Sequence, residues 1–359
     1  MPQPQQDLVE DRSLLYDEYK ALYGELTRTD PDAVVLKGFR IGDRYPPGWL
    51  RTSNDLDVAL SAPELLWPCA RGLGPQWTVH AFSLVRIGGR LYPSLAVTAP
   101  RDSRAQPYRG IELTTSGFVV GRWDLRPPGF VLPHHLDDEV VPQILALVEE
   151  GAQRPFHARD CLDAMILAAE LSPSGGALLS RSLGTLGWWP ELTRLLAAAE
   201  RFGMPATVLR QALPEARVRA GLRRSRRDRL RSRAALLGTG IGRAVWLTHR
   251  LTLHREPGRP AEWLAASVQR RWPAGLALAA GLPVFGMPLQ DCEASGDGLA
   301  LLESPAGSLV ALTPLGAFVL VYGATVREEV VAEASEALRR GATGPVRAGL
   351  SGEMATSGG

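Results

Sequence analysis

Two aspartates, Asp55 and Asp57, stand one residue apart, with Leu56 between them and Val58-Ala59-Leu60 behind. On a strand alternate residues share a face, so both carboxylates leave the sheet together, with Cα atoms roughly 6.6 Å apart. Like charges so placed repel unless a cation or a proton compensates them. Upstream, Lys37 and Gly38 follow the apolar run Val34-Val35-Leu36. A strand, a glycine turn, basic residues and then a strand carrying paired carboxylates is a layout for metal–phosphate chemistry. The competing reading of the aspartate pair is a solvated edge strand, with Leu56 and Val58 buried behind it.

The elements around this run follow from periodicity. Leu14, Leu15, Tyr19, Leu22 and Leu26 give residues 14–27 one apolar helical face, and Asp30-Pro31 ends it. Short strands are predicted at 33–36 and 56–60. Ser61-Ala62-Pro63 then starts a helix near 64–71. Strands are expected at 78–87 and 91–98 around Gly88-Gly89, and at 110–114. Val140, Val141, Ile144, Leu145 and Val148 open a helical region, continued at 158–170 and 188–202. The last block reads as strands near 299–303 and 309–312, with helices over 314–322 and 326–340. The expectation is an α+β chain: a mixed sheet (1–133), a mainly helical region (134–273), and a small C-terminal α/β lobe with a polar tail (274–359).

The 359 residues suffice for one large or two medium domains. A hydrophobic share of 45% and a net charge of +2 suit a soluble globular protein and select no partner. Cys69, Cys161 and Cys292 lie far apart and form neither a disulfide framework nor a zinc spacing. The N-terminus lacks a signal-peptide pattern and no apolar run reaches membrane-spanning length, so a cytoplasmic location is expected and no membrane partner. The small net charge hides nine arginines between Arg217 and Arg233, opposed by Asp228. Nucleic-acid phosphates, an acidic peptide, or solvent on a helix with Val218, Leu222 and Leu230 beneath are the readings of that run.

Lys37-Gly38, Tyr45-Pro46, Arg51 and Asn54-Asp55-Leu56-Asp57-Val58 together resemble the signature of an uncharacterised nucleotidyltransferase family of the polymerase-beta-like superfamily. That signature is leucine-lysine-glycine, a variable segment, an arginine, and an aspartate pair in an apolar strand. The resemblance is strongest over residues 14–115. It extends toward residue 200 through His157-Ala158-Arg159-Asp160-Cys161-Leu162-Asp163. It implies a nucleotidyltransferase-like sheet in which Asp55 and Asp57 bind one or two Mg²⁺ ions. It also implies that a nucleoside monophosphate passes from an NTP of undetermined base to an unidentified hydroxyl acceptor, a small molecule or peptide, releasing pyrophosphate. The first turn, with Lys37 and Gly38, would hold the triphosphate, and Arg51, which matches the family's arginine, would contact phosphate, a surface residue being its other reading. The third carboxylate of such sites comes from a later strand, which points to Glu112, with Asp102 second. Many relatives carry glycine-serine in the first turn, where this chain has Lys37-Gly38. The alternative is a catalytically inactive nucleotidyltransferase-like protein that binds peptide or nucleic acid.

Other candidates carry weaker patterns. Arg40 and Arg44 are phosphate contacts or surface residues, and Trp49 either stacks on a base or packs under its loop. Asp160 and Asp163 lie three apart, hence on one helix side. His157 is a proton-transfer or capping residue. His134-His135 before Asp137-Asp138-Glu139 reads as a helix-start charge cluster, since tetrahedral metal spacing is lacking. His249 and His254, beside Arg250 and Arg255, read as surface residues. Residues 307–317 resemble small peptide-binding domains of modified-peptide pathways; an ordinary final αβ lobe is the other reading.

Overall fold

The computed structural model describes residues 3–100 except 48, 50, 52 and 54, then 109–116, 139–213, 218–223, 274–304 except 280, 282 and 290–295, 308–322, 328–339 and 344–345. Several sequence expectations lie outside the described residues. These are His134, His135, Asp137, Asp138, Asp102, His249, Arg250, His254, Arg255, Cys292, and most of the arginine run, of which 218–223 is helical. The chain divides into two compact units, Met1–His80 with Ser94–Leu247, and Ala81–Pro93 with Thr248–Gly359.

The first unit opens with α1 (Gln3–Thr29), which buries Leu15, Tyr19 and Leu26 at helical spacing. Buried Asp30 ends it. Its carboxylate accepts from the Asp32 N–H at 3.2 Å and from the Ser61 N–H at 2.7 Å, tying the end of α1 to the chain after the aspartate strand. There follow β1 (Val34–Val35), the single turn α2 (Phe39–Gly42), β2 (Asp55–Ala59) and α3 (Leu66–Gly72). The chain then forms β3 (Thr78–Ile87) and β4 (Arg90–Thr98), of which Ala81–Pro93 belongs to the second unit, and β5 (Gly110–Thr114) in the first. Within this unit the strand order is β1-β2-β5-β4. β2 is antiparallel to β1 and parallel to β5, and β5 is antiparallel to β4. β2 therefore has a partner on each side and is not an edge strand.

Next in the unit come the helices α4 (Val140–Gln153), α5 (Ala158–Ala169), α6 (Pro173–Leu186), α7 (Trp189–Arg201) and α8 (Thr207–Ala212). They share one core with Leu36, Ile41 and Ala59, in which Ile144, Leu145, Leu167, Leu183 and Leu192 are fully buried. Sequence periodicity passes over α6, whose glycines dilute the pattern. Its signals are at its ends: the Ser172 hydroxyl accepts from the Gly175 N–H at 2.9 Å, Pro173 stands in the first turn, and Gly187 closes it in the left-handed region.

The second unit contains α9 (Ala274–Ala279), β6 (Val284–Pro288), β7 (Ala300–Glu303), β8 (Leu309–Thr313), β9 (Gly316–Val321), α10 (Glu328–Arg339) and β10 (Gly344–Pro345). Its strands run β3-β6-β9-β8-β7-β10, each pair antiparallel. The helix expected over 314–322 is instead β9. Gly316, with φ 125, turns the chain, Thr313 Oγ1 donates to the Gly316 carbonyl at 2.8 Å, and Ala317-Phe318-Val319-Leu320 pairs with β8 and β6. Burial on both faces gives such a run no alternation to read. Gly286 is required where β6 runs against Phe82 and Phe318, since a Cβ there would lie 2.5 Å from the Phe82 ring and 2.9 Å from the Phe318 Cβ.

The architecture is thus α+β: a mixed sheet, a mainly helical region, and a small C-terminal α/β lobe. No helix among the described residues is long and apolar enough to cross a membrane.

Candidate functional site

The parallel register of β2 and β5 sets the site. Asp57 is the Cα partner of Glu112, and Asp55 is the partner of Gly110. Partnered residues on neighbouring strands share a face, and so do residues two apart. Asp55, Asp57 and Glu112 therefore lie on one face, while Leu56 and Val58 are fully buried on the other. Asp55 and Glu112 are exposed, but Asp57 is 6% exposed. The three sequence-predicted acids are brought together by backbone pairing alone.

Lys37 comes to this face from the end of β1, where the Leu36 N–H donates to the Asp57 carbonyl at 2.9 Å. Its Nζ donates to Glu150 Oε1 at 2.7 Å and stands 3.1 Å from Asp57 Oδ2. Lys20 and Lys37 are the chain's only lysines; every other basic residue apart from histidine is arginine. A compact ammonium suits a narrow place between two carboxylates better than a planar guanidinium does. Glu149 and Glu150, at the end of α4, complete an acidic crowd around this ammonium.

The electrostatics follow from that crowding. Burial pushes the Asp57 carboxyl above its ordinary range, with Lys37 opposing the shift and Asp55 adding to it. Desolvation pushes Glu112 up to about 7, Asp57 adding to the rise and Lys37 resisting it. The exposure of the Glu112 residue screens part of that effect. Burial pushes Glu149 up to about 8, against Lys37 and with Glu112. Burial alone would lower Lys37, but Asp57 and then Glu150 outweigh it and raise it.

The turn before α2 is held by Arg51. Gly38 has φ 99, and a Cβ there would come within 3.2 Å of the Asp55 carbonyl and 3.5 Å of Ser53 Oγ. Arg51 Nη1 donates to the Gly38 carbonyl at 3.1 Å, and its Nε and Nη2 donate to Asp163 Oδ2 at 2.9 and 2.8 Å. Tyr45 donates to the other Asp163 oxygen at 2.5 Å. The Arg51 and Asp163 side chains are 5% and 0% exposed. Arg51 thus clamps the glycine turn to α5. A serine hydroxyl does reach the turn, from Ser53, which donates to the Asp55 carbonyl at 2.7 Å.

Beside Asp55 opens a cavity of about 280 Å³, lined by Lys37, Arg51, Ser53, Asp55, Leu147, Glu150, Arg154, Arg159 and Asp160. Asp160 caps α5 by accepting from the His157 N–H at 2.8 Å and takes a fork from Arg154 at 2.7 and 3.1 Å. Burial would raise Asp160, but the Arg154 fork and the His157 N–H outweigh it and hold the carboxyl below the usual carboxylate range. His157 is the residue before α5, so the capping reading holds for its backbone. Arg44 bonds Glu170 at 2.7 Å, Arg40 lies over the Tyr23 ring, and Trp49 is 63% exposed.

Three carboxylates on one face are hard oxygen donors of the kind Mg²⁺ takes. As the side chains stand, no group of three or more His, Cys, Asp or Glu among the described residues is arranged around a common metal position, and Asp57 faces Lys37 instead. No family model matches the chain, and no curated protein matches it.

Glu149, Glu150, Arg154 and Ser53 escape a reading of the sequence. The pair Glu149-Glu150 closing an apolar helix is the available signal for the first two. Nothing local marks Ser53 or Arg154, because each acquires its neighbours through tertiary folding.

Proposed function

We propose that the chain is a Mg²⁺-dependent nucleotidyltransferase of the polymerase-beta-like kind, moving a nucleoside monophosphate from an NTP to a hydroxyl of a small-molecule or peptide acceptor. The observation that carries this reading is the pairing of Asp57 with Glu112 across β2 and β5, with Asp55 on the same face. Asp55, Asp57 and Glu112 would hold the ion. When bound, Mg²⁺ supplies charge neutralisation at the phosphates and orients the triphosphate for displacement at the α-phosphorus. In the overall reaction the acceptor oxygen bonds to that phosphorus, the bond to the β-phosphate bridge breaks, pyrophosphate leaves, and the hydroxyl proton passes to solvent. Lys37, placed between Asp57 and the cavity, balances charge on both sides. Gly38 permits close approach of the backbone to a phosphate, and Arg51 holds that turn in place.

One observation favours the non-catalytic alternative, a nucleotidyltransferase-like protein that binds peptide or nucleic acid: Asp57 already carries Lys37 as its counter-cation. The deciding experiment incubates the protein with each of the four NTPs, Mg²⁺ and a native extract, and reads intact masses for an added nucleoside monophosphate. Asp55→Asn and Asp57→Asn should abolish the addition while leaving the melting curve cooperative. Transfer that survives both substitutions rules out the assigned metal role. An added phosphate in place of a nucleotide would make the chemistry phosphoryl transfer.

A further inference from the structure

We infer that Arg154 is a positioning residue for the metal seat: it governs how the ammonium of Lys37 is shared between Glu150 and Asp57, and through that the affinity of the aspartates for Mg²⁺. The inference rests on the metal reading above and adds a control on that ion from outside the strand face.

The observation is an unbroken series of ion pairs of alternating sign. It starts in the first turn of α5, where the Asp160 carboxylate accepts from the His157 N–H at 2.8 Å and from Arg154 at 2.7 and 3.1 Å. Arg154 Nε stands 3.1 Å from Glu150 Oε2. The other oxygen of Glu150, Oε1, accepts from Lys37 Nζ at 2.7 Å, and that ammonium stands 3.1 Å from Asp57 Oδ2. The start of α5 is thus linked to β2 through Asp160, Arg154, Glu150, Lys37 and Asp57 in turn.

Two members of the series are divided between partners. Glu150 gives one oxygen to each cation, and Lys37 gives one ammonium to two carboxylates. An isolated pair of the Glu150–Arg154 kind on an exposed helix face would be worth little and would affect nothing else. Here Asp57 and Asp160 are buried, and the side chains between them are at most 31% exposed, so solvent screens the series less. Withdrawing Arg154 leaves Glu150 with Lys37 as its partner in the series, and the ammonium shifts toward Glu150. Asp57 is then less compensated, and a divalent ion meets less competition there. An arginine suits the place because its Nε and its two Nη groups serve separate carboxylates in a fixed geometry, which a point charge does not do.

The test is calorimetric titration of the full chain with Mg²⁺ in the wild type, Arg154→Met, Glu150→Gln and the double variant. Each is first shown to melt cooperatively, with Arg154→Gln taking the place of Arg154→Met if the latter does not. Arg154→Met should tighten Mg²⁺ binding about fivefold, the low end of coupling between linked sites. A merely structural Arg154 would, on removal, loosen the seat and weaken the ion. In the Glu150→Gln background the same substitution should have a clearly smaller effect, because the link to Lys37 is already cut. Unchanged or weaker binding by Arg154→Met overturns the inference. So does an equal tightening in both backgrounds, which would be the guanidinium's field acting directly through space. In either case, wild-type Mg²⁺ binding that Asp57→Asn abolishes leaves the metal reading standing. A wild type that binds no Mg²⁺ overturns the inference, and overturns the metal reading with it if no nucleotide is transferred either.

Discussion

The ammonium of Lys37 stands 3.1 Å from Asp57 Oδ2, so the buried member of the aspartate pair already has a counter-cation. The same ammonium bonds Glu150, which places one charge between the strand face and the cavity wall. A divalent ion on Asp57 would compete with Lys37 for that carboxylate.

This competition can be read on the lysine itself. With only Lys20 and Lys37 in the chain, amine acylation followed by mass spectrometry gives one surface reference and one site signal. Lys20 is exposed, while the Lys37 side chain is 27% exposed and its ammonium is stabilised by Asp57 and Glu150. Lys37 should react at least roughly tenfold more slowly at a mildly alkaline pH, because only the neutral amine is nucleophilic. Mg²⁺ should speed its reaction, and Asp57→Asn should remove that acceleration. Equal rates at the two lysines would contradict the ion pair.

The acids make a prediction about stability and pH. Glu112 and Glu149 rise from 4.5 to about 7 and about 8 on folding. Between those values the folded protein holds more protons than the unfolded chain, so the contribution of these groups to stability falls as pH rises from 4.5 to about 8. Glu149→Gln should raise the melting temperature of the metal-free protein near pH 8 and change it little near pH 4.5. A gain of about 1 kcal/mol would appear as roughly 2–4 °C in a domain of this size. Added Mg²⁺ should stabilise more at the higher pH, since the ion competes with protons for the same oxygens. A melting temperature in Glu149→Gln that tracks the wild type at every pH would refute the crowding argument.

Arg51 and Asp163 form a buried pair, and removing one partner leaves the other charge uncompensated. Asp163→Asn or Arg51→Met should each cost about 3–5 kcal/mol in urea unfolding. The double change Arg51→Met with Asp163→Leu should cost clearly less than the sum of its singles, since replacing both members by apolar groups avoids a stranded charge. Arg51→Lys should recover little, because an ammonium does not reproduce the three directed donors to Asp163 and Gly38. Additive losses would mean that the two residues do not act as a unit.

The local part of this architecture is legible because it is periodic. The strand expected at 110–114 matches β5 residue for residue, and α4, α5 and α7 lie within a few positions of their apolar repeats. β9 reads as helix in the sequence because both its faces are buried, which removes the alternation that marks a strand. At the site, Asp55 and Asp57 are visible through their spacing. Glu112 is reachable as a carboxylate on a later strand, although its pairing with Asp57 is a matter of sheet order. Arg51 stands out as a basic residue of the loop, yet its partner Asp163 lies 112 positions away and gives it a bracing geometry that spacing cannot show. Lys37, the cation that faces Asp57, is likewise visible, but its second partner, Glu150, belongs to a helix whose sequence signal is its apolar side.

Two glycines of the first unit separate conformational need from mere tolerance. Gly24 lies within α1, where a Cβ meets nothing within 4 Å, so Gly24→Ala should stabilise by about 0.5–1 kcal/mol through helix propensity. Gly38 has φ 99 and would press a Cβ to 3.2 Å from the Asp55 carbonyl. Gly38→Ala should therefore destabilise by about 1–2 kcal/mol, the scale of placing an L-residue in that backbone region. Relief of the contact moves either the turn or the start of β2, and the turn is held by Arg51 through the Gly38 carbonyl. The strand start carrying Asp55 is then the part that yields, so nucleotide transfer under the proposed function should fall further than stability does. Urea midpoints for the two variants, measured beside transfer rates, check both halves: a Gly38→Ala protein as stable as Gly24→Ala would show that the turn does not need its glycine.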